Sequence, residues 1–248
     1  MKRPILTILL LIFFIQVSQA QLWKLKRVEL SGGMGTATFF GDIGGFSHGE
    51  NSWGFKDITF LQTRYSINLS AKYRFSQVIS ARLSLSYGLL HATDERGSNE
   101  VRGYEASTSI FEPALIGEYY FVKNRAETSY LFNKGRGKGI IRLMRSLDFY
   151  AFTGIGGLSY SIEPNEKLSE HGLDSRGFTA VVPLGLGGNL SAYPNLKFGL
   201  ELGFRYALTD NLDGYTSQFS SANDVYYFFH INVTYRLKIQ KGMSRSFR

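Results

Sequence analysis

The segment LKFGLELGFRYALT, residues 196–209, decides the fold class because its side chains alternate in polarity. One face carries only apolar side chains: Leu196, Phe198, Leu200, Leu202, Phe204, Tyr206 and Leu208. The opposite face carries Lys197, Glu201 and Arg205 among small residues. A period of two residues is typical of a β-strand, and charges opposite an apolar face indicate lipid outside and a polar lumen inside.

The same alternation recurs along the chain. Strong strands are predicted at 63–75, 79–89 and 225–239, and weaker ones at 28–40, 108–122, 147–162 and 178–192. The strand at 147–162 changes parity near Gly156 and Gly157, where we expect a β-bulge. With 196–209 the count is eight. The sequence therefore predicts an all-β fold, an eight-stranded antiparallel up-and-down transmembrane β-barrel.

A soluble β-sandwich is the alternative fold, but its strands are typically about 5 to 6 residues long. The predicted strands are longer and direct six charged side chains to one side. These form the predicted interior charge network: Arg74, Arg82, Glu112, Glu118, Glu201 and Arg205. An arginine facing lipid at mid-membrane would cost roughly 2 to 4 kcal/mol, so the charges are expected inside.

The N-terminus has the features of a secretory signal peptide. Lys2 and Arg3 precede an apolar run over 5–15, and Ser18-Gln19-Ala20 provides a small-residue cleavage site. We therefore expect a signal peptide at 1–20 that is cleaved on export and a barrel domain at 21–248 in the bacterial outer membrane. The chain has no cysteine, which excludes disulfides and a lipidated N-terminal cysteine.

Charge is distributed unequally between the two predicted ends of the barrel. The long connections 41–62, 92–105, 163–177 and 210–224 hold fourteen acidic and five basic residues and are predicted outer loops. The predicted periplasmic segments 21–27, 123–146 and 236–248 hold fifteen basic residues and one acidic residue. This basic face favours acidic partner surfaces or anionic envelope polymers. Nucleic acid is not expected, since no recognition motif accompanies the charge. The alternative is that the basic ends only aid translocation control or solubility.

A candidate docking site lies in the connection 123–146, which is far longer than a usual periplasmic turn. Apolar side chains beside flexible cations suit a protein contact. The candidate docking residues are Tyr130, Leu131, Phe132, Lys134, Arg136, Lys138, Arg142 and Arg145, joined by Lys241, Arg245 and Arg248 of the basic C-terminal tail 236–248.

Catalytic, metal and cofactor sites are not expected. His171 stands near Ser169, Glu170 and Asp174, the ingredients of a hydrolase triad, but loop polarity explains each of them. The other histidines are His48 and His91, in or beside outer loops, and the inward-facing His230. No metal-ligand spacing occurs, and carboxylates such as Asp210 and Asp213 would hold calcium only weakly. Eight strands leave a lumen filled by side chains, so a diffusion pore is not expected.

The first predicted strand carries a recognisable pattern. The glycine-rich Ser31-Gly32-Gly33-Met34-Gly35 is followed by Phe39-Phe40-Gly41-Asp42-Ile43-Gly44 at the strand-to-loop transition. The chain thereby resembles the small Bacteroidota outer-membrane barrels similar to PorG, the barrel component of the type IX secretion machinery. The resemblance extends to the signal peptide, the eight strands and the basic C-terminus.

This resemblance implies a non-enzymatic barrel that contacts outer-membrane lipids. It also implies that the barrel tethers a periplasmic ring, made of a lipoprotein and its partner subunit, to the membrane. Two alternatives stay open. One is a surface-loop binding, adhesion or envelope-structural barrel. The other is a lipid-modifying or proteolytic enzyme that uses His171 or His230.

Overall fold

The computed structural model describes residues 26–44, 62–95, 100–124, 127, 129–131, 140–170, 175–215 and 223–238. Within them lie eight strands: β1 (Val28–Phe40), β2 (Arg64–Arg74), β3 (Ile79–Thr93), β4 (Glu105–Val122), β5 (Leu147–Pro164), β6 (Arg176–Ser191), β7 (Leu196–Ala207) and β8 (Val225–Leu237). Two short helices, α1 (Ile140–Arg145) and α2 (Glu166–Ser169), flank β5. The predicted signal peptide lies outside the described residues.

The strands form one closed barrel in which each pairs antiparallel with the next along the chain. β1 also pairs with β8, from Val28 opposite Leu237 to Phe40 opposite Val225, and this pairing closes the sheet. Closure leaves no unpaired strand edge, which lipid would not tolerate. The predicted all-β, eight-stranded antiparallel barrel is confirmed.

Over most of its height the barrel wall is apolar outside and polar inside. Leu69 and Leu83 are more than half exposed on the outer surface, whereas Arg82 and Glu201 are buried in the lumen. This inverted arrangement gives the outer surface an apolar girdle suited to lipid. No helix among these residues is long and apolar enough to cross a membrane.

We name the two ends by the usual topology of such barrels. The described part of the chain begins and ends at the periplasmic end, where residues 75–78 and 192–195 make the tight turns. The outer end holds the longer connections, with α2 between β5 and β6. The connection from β4 to β5, which includes α1, lies at the periplasmic end.

Near the outer end the inner and outer faces exchange character. β3 runs to Thr93, beyond the predicted end at residue 89, because Leu90 and Ala92 continue the alternation with apolar side chains pointing inward. Buried apolar side chains fill this end of the lumen: Ala37, Phe39, Ile43, Leu90, Ala92, Ala106, Ile110, Leu158, Tyr160, Ile162, Leu168, Val181, Ala207, Leu212, Tyr226 and Phe228. We call them the outer core.

The bulge predicted at Gly156 and Gly157 is wrong. β5 keeps one register with β6 from Leu147, opposite Leu190, to Ser161, opposite Arg176. The apparent change of parity arises because inward positions are polar lower down, as at Asp148, and apolar in the outer core. The register shift that does occur lies between β4 and β5, at Tyr120 and Val122.

Candidate functional site

Two ion pairs fill the middle of the lumen. The Nε of Arg205 donates to Oε1 of Glu112 at 2.9 Å, and the guanidinium of Arg82 donates to both carboxylate oxygens of Glu201 at 2.7 and 3.0 Å. The Nε of Arg82 also lies 3.3 Å from Oε1 of Glu118. All five side chains are buried. They occupy the lumen at this level, as expected for eight strands.

Tyrosine hydroxyls complete these pairs from inside the wall. Tyr226 donates to Oε2 of Glu112 at 2.6 Å, and Tyr150 donates to Oε2 of Glu201 at 2.7 Å. Burying a charge is costly unless each oxygen and each N–H finds a partner. The added hydroxyls therefore stabilise carboxylates that a single arginine would leave partly unsatisfied.

A second layer of charges lies nearer the periplasmic end. Lys72 contacts Glu118 at 2.8 Å, while Lys197 lies 3.0 Å from Glu29 and 3.5 Å from Asp148. Glu118 belongs to the predicted interior charge network, and the alternation also placed Lys197 on the inward face of its strand. The same alternation identifies Glu29, Lys72 and Asp148, which also occupy inward positions of their strands and were left out of the predicted network.

Glu127 closes the periplasmic mouth of the barrel. It comes from the β4–β5 connection, and its carboxylate accepts hydrogen bonds from Arg74, at 3.0 Å, and from Arg236. Burial by itself would raise the pKa of Glu127, but the guanidinium groups of Arg236 and Arg74 lower it below its ordinary value. Glu127 also has φ of 52°, an unfavourable conformation for a residue with a side chain. The ion pairs offset this strain.

The charge count overstated the basic face, because some of these cations are turned inward. Arg236, assigned from sequence to the basic tail, is buried in the lumen against Glu127. Lys123, assigned to the basic loop, is buried 2.8 Å from Asp148. Arg145 and Lys238 are exposed. The sequence shows the sign of each charge, but the inward rotation of the strand ends decides which charges reach solvent.

The same connection is fastened to the barrel by its backbone. The amide of Tyr130 donates to the carbonyl of Ser191 at 2.8 Å, and that of Leu131 donates to the carbonyl of Ala192 at 3.2 Å. The amide of Asn124 donates to Asp148 at 2.8 Å. The described parts of the connection are thus held across the mouth rather than extended from it.

Four apolar side chains on this connection are exposed. Leu131 is 53% exposed, and α1 presents Ile140 at 72%, Ile141 at 50% and Met144 at 66%. We call these four residues the periplasmic patch. Exposed apolar side chains on a segment that is fastened to the barrel are a common feature of interaction sites. The exposed Arg145 adds a cation at the end of α1.

The candidate docking residues are only partly described. Tyr130 is half-buried, and Leu131 and Arg145 are exposed. Arg142 lies in α1, but its side chain is not described. The remaining candidates, Phe132, Lys134, Arg136, Lys138, Lys241, Arg245 and Arg248, lie outside the described residues. The sequence analysis missed Ile140, Ile141 and Met144. The signal that could have identified them is the position of these apolar residues next to Arg142 and Arg145 in a charged connection.

The outer end is closed by what we call the outer cap, formed by residues 41–44, Asp94, Arg102 and residues 212–215. The amide of Ile43 donates to Oδ2 of Asp213 at 3.0 Å, and that of Gly44 donates to Asp94 at 2.9 Å. Arg102 grips both oxygens of Asp94, at 2.7 and 2.9 Å. The Gly-Asp pattern after β1 therefore folds back into the barrel mouth.

Burial raises the pKa of Asp213 to about 7, with a further contribution from Asp42, although the amides of Tyr215 and Ile43 hydrogen-bond to its carboxylate. Burial and the charge on Asp213 raise the pKa of Asp224 in the same way. Gly44 has φ of 83°, a conformation that glycine adopts freely. In the outer cap, buried carboxyl groups therefore accept hydrogen bonds from backbone amides.

Two histidines, His91 and His230, lie among the described residues, and each contacts a serine hydroxyl. His230 lies 3.0 Å from the hydroxyl of Ser66, and Glu201 stands opposite it on β7, but His230 and Ser66 are only 1% exposed. His91 is buried, with its Nδ1 3.1 Å from the hydroxyl of Ser107 and its Nε2 3.6 Å from Oε1 of Glu105. His48, His171 and Asp174 lie outside the described residues. No group of three or more potential metal-ligating side chains occurs among those that are described.

Solved structures that resemble the chain are small outer-membrane proteins at low identity. Neisserial surface protein A shares 11% identity and covers 85% of this chain and 97% of its own, with a TM-score of 0.45. Ail of Yersinia pestis, in complex with the heparin analogue sucrose octasulfate, shares 11% identity, covers 86% of this chain and 99% of its own, and has a TM-score of 0.44. OprG of Pseudomonas aeruginosa shares 10% sequence identity, and the match covers 86% of this chain and 98% of OprG with a TM-score of 0.44. No functional inference rests on these likenesses.

Among curated proteins, no sequence matches the chain significantly. A family profile described as "Domain of unknown function (DUF6089)" matches residues 2–238, nearly the whole chain. The chain therefore belongs to the DUF6089 family.

Proposed function

We propose that this protein is a non-enzymatic outer-membrane barrel that docks periplasmic ring subunits of a protein secretion machinery of the type IX kind. The single observation that carries the proposal is the anchored β4–β5 connection, which exposes the periplasmic patch. The patch combines four exposed apolar side chains with a neighbouring cation, the composition that protein interfaces use for their central contacts.

The closed lumen supports a docking role rather than transport. Ion pairs such as Arg205 with Glu112 fill its middle, Glu127 occupies its periplasmic mouth, and the outer core fills its other end. A solute would have to displace several buried, paired charges at once, and breaking each pair is expensive. Function is therefore assigned to the ends of the barrel. The buried positions of Ser66 and His230 argue against catalysis in the lumen.

Anchoring makes the patch a better docking element than a free loop would be. The amides of Tyr130 and Leu131 and the carboxylate of Glu127 hold the described parts of the connection on the barrel before a partner arrives. A preorganised segment loses less conformational freedom on binding, so more of its contact energy appears as affinity. The charge of the periplasmic segments and the resemblance to PorG-like barrels point to a periplasmic partner.

Affinity purification in mild detergent from native outer membranes tests the proposal. The triple variant Ile140→Ser, Ile141→Ser, Met144→Ser removes the apolar contacts of α1 but leaves the backbone anchors at Tyr130 and Leu131 intact. Val101→Ser, at the outer end and fully exposed, is the matched control. We expect ring subunits to co-purify with the wild type and the control but not with the triple variant.

Recovery of the barrel alone from all three proteins would overturn the proposal. It would favour a second candidate, surface binding through the outer loops. The ordered outer cap supports that reading, because Arg102 and Asp94 hold a fixed platform at the outer end. Secretion measured in a strain that carries the triple variant separates the two, since only the docking function predicts a defect.

A further inference from the structure

A cleft of about 400 Å³ opens on the outside of the barrel wall near the outer end, across β3, β4, β5 and β6. Its outward-facing lining includes Tyr87, Phe111, Ser109, Ser161 and Arg176. The cleft is separate from the lumen and lies at the opposite end from the periplasmic patch. It opens sideways, in the direction that lipid occupies around a barrel.

The outermost side of the cleft is a row of polar groups. Ser109 lies opposite Ser161, and Ser161 lies opposite Arg176, so the three side chains stand at one level on neighbouring strands. The side chain of Arg176 is exposed, and its guanidinium makes no hydrogen bond or ion pair with any other residue that the structure describes. The hydroxyl of Ser109 donates to the carbonyl of Ser161 at 3.4 Å, so the donors open to an anion are the guanidinium of Arg176 and the hydroxyl of Ser161.

The membrane side of the cleft is a row of rings with a gap. Tyr87 lies opposite Phe111, Phe111 lies opposite Ser159, and Ser159 lies opposite Phe178. The small Ser159 between two aromatic residues leaves the space that forms the cleft. The ring of Phe178 leans over Gly157, which has no side chain to exclude it.

The level of the cleft identifies the kind of ligand. Outward side chains below it are apolar, such as Ile155 and Leu184, whereas those above it are polar, such as Ser107 and Glu163. Aromatic residues mark this boundary in membrane barrels, where lipid headgroups begin. Arginine binds phosphate by paired N–H donors, which makes it better suited than a simple point charge.

We propose that this cleft binds the phosphate of an outer-leaflet lipid headgroup. Arg176 and the hydroxyl of Ser161 hold the phosphate, and Tyr87 and Phe111 contact the lipid directly below it. A soluble protein partner is disfavoured because the cleft faces the membrane rather than the aqueous phase. The assignment is independent of the docking function, since it uses the opposite end of the molecule.

Native mass spectrometry of the full-length protein in detergent, titrated with lipid A, tests the proposal. The wild type should bind phosphorylated lipid A more tightly than lipid A from which the phosphates have been removed. Arg176→Ala should weaken binding by about tenfold or more, because a charge-assisted hydrogen bond is lost. Lys167→Ala removes an exposed cation of α2, outside the cleft, and should leave binding unchanged.

Ser161→Leu fills the cleft without removing the cation, and it should weaken binding as well. Slower gel mobility on heating verifies that each variant is folded before it is titrated. Equal binding by Arg176→Ala and the wild type would overturn the proposal. Equal affinity for phosphorylated and dephosphorylated lipid A would also overturn it. So would complete displacement of bound lipid A by an equal concentration of inorganic phosphate.

Discussion

Side chains alternate between inward and outward positions both in the lower part of the barrel and at its outer end, but the polarity of the two faces is reversed. Around Arg82 and Glu201 the wall is apolar outside and charged inside, because lipid surrounds it. Around Ala92 and Ile162 it is polar outside and apolar inside, like a soluble protein. The exchange occurs within single strands, with no interruption of their pairing. It indicates that the outer end stands clear of the hydrocarbon, where water, rather than lipid, contacts the wall.

Truncating an inward-facing side chain should therefore reduce the stability of the barrel by different amounts in the lower part and at the outer end. The largest effect is expected for Glu112→Ala, which leaves the Arg205 guanidinium buried without its carboxylate. We expect a loss of about 3 to 5 kcal/mol in the free energy of unfolding, the usual cost of an uncompensated buried charge. Urea unfolding in detergent micelles, followed by circular dichroism, measures it.

The double variant Glu112→Leu, Arg205→Met is the control for that prediction. It removes both charges and retains apolar volume, so most of the lost stability should return. If the double variant is as unstable as Glu112→Ala, the charge explanation fails and packing is the cause.

A smaller effect is expected in the outer core. Leu158→Ala removes a fully buried side chain there and should cost about 2 to 4 kcal/mol, from lost burial and a residual cavity. Hydrogen exchange should show faster opening at the outer end. The lipid-facing Leu184→Ala is the matched control and should cost much less. Equal costs would contradict the assignment of two environments.

At the periplasmic mouth, Glu127→Gln should cost about 1 to 3 kcal/mol locally, through the weaker hydrogen bonds to Arg74 and Arg236. Because the pKa of Glu127 is lowered from 4.5, its stabilisation is present above that pH and is lost as the pH falls through the lowered pKa. Limited proteolysis of the β4–β5 connection should therefore accelerate in acid for the wild type. The glutamine variant should show little further change with pH.

The smallest effect concerns the outer cap. The pKa of Asp213 is raised from 3.8 to about 7, so its contribution to stability is complete below about pH 4 and declines as the pH rises through about 7. Amide chemical shifts of Ile43 and Tyr215 in nanodiscs should titrate with a midpoint near pH 7. Asp213→Asn should abolish the titration. A midpoint near 4 would show that the carboxylate is solvated.

The sequence predicted the positions of the strands far better than it predicted which side chains of each strand are polar or apolar towards the lumen. All eight strands lie where the alternation placed them, but β3 and β4 extend further towards the outer end, to Thr93 and from Glu105. The alternation was followed only where apolar residues faced outward. Because Leu90 is apolar and faces inward, β3 was predicted to end before it. For the same reason the inward Leu158 was interpreted as evidence of a bulge in β5.

The candidate site was predicted in part for a similar reason. The length of the β4–β5 connection and its charge identified the segment, since both are local properties. The insertion of Glu127 between Arg74 and Arg236 depends on strands far apart in the chain, and no spacing rule reports it. The same is true of the cleft at Ser161 and Arg176, which appears only when the strand register is known.

By itself, the sequence determined the class of fold, the number of strands and the sign of charge at each end, because alternation and composition are set residue by residue. Only the tertiary structure decided which cations are paired inside, where the wall exchanges its inner and outer character, and which side chains the two ends expose. The physical reason is that burial depends on register and on the medium at each level. A period of two specifies that neighbouring side chains face opposite ways, but not which of them faces lipid, water or the lumen.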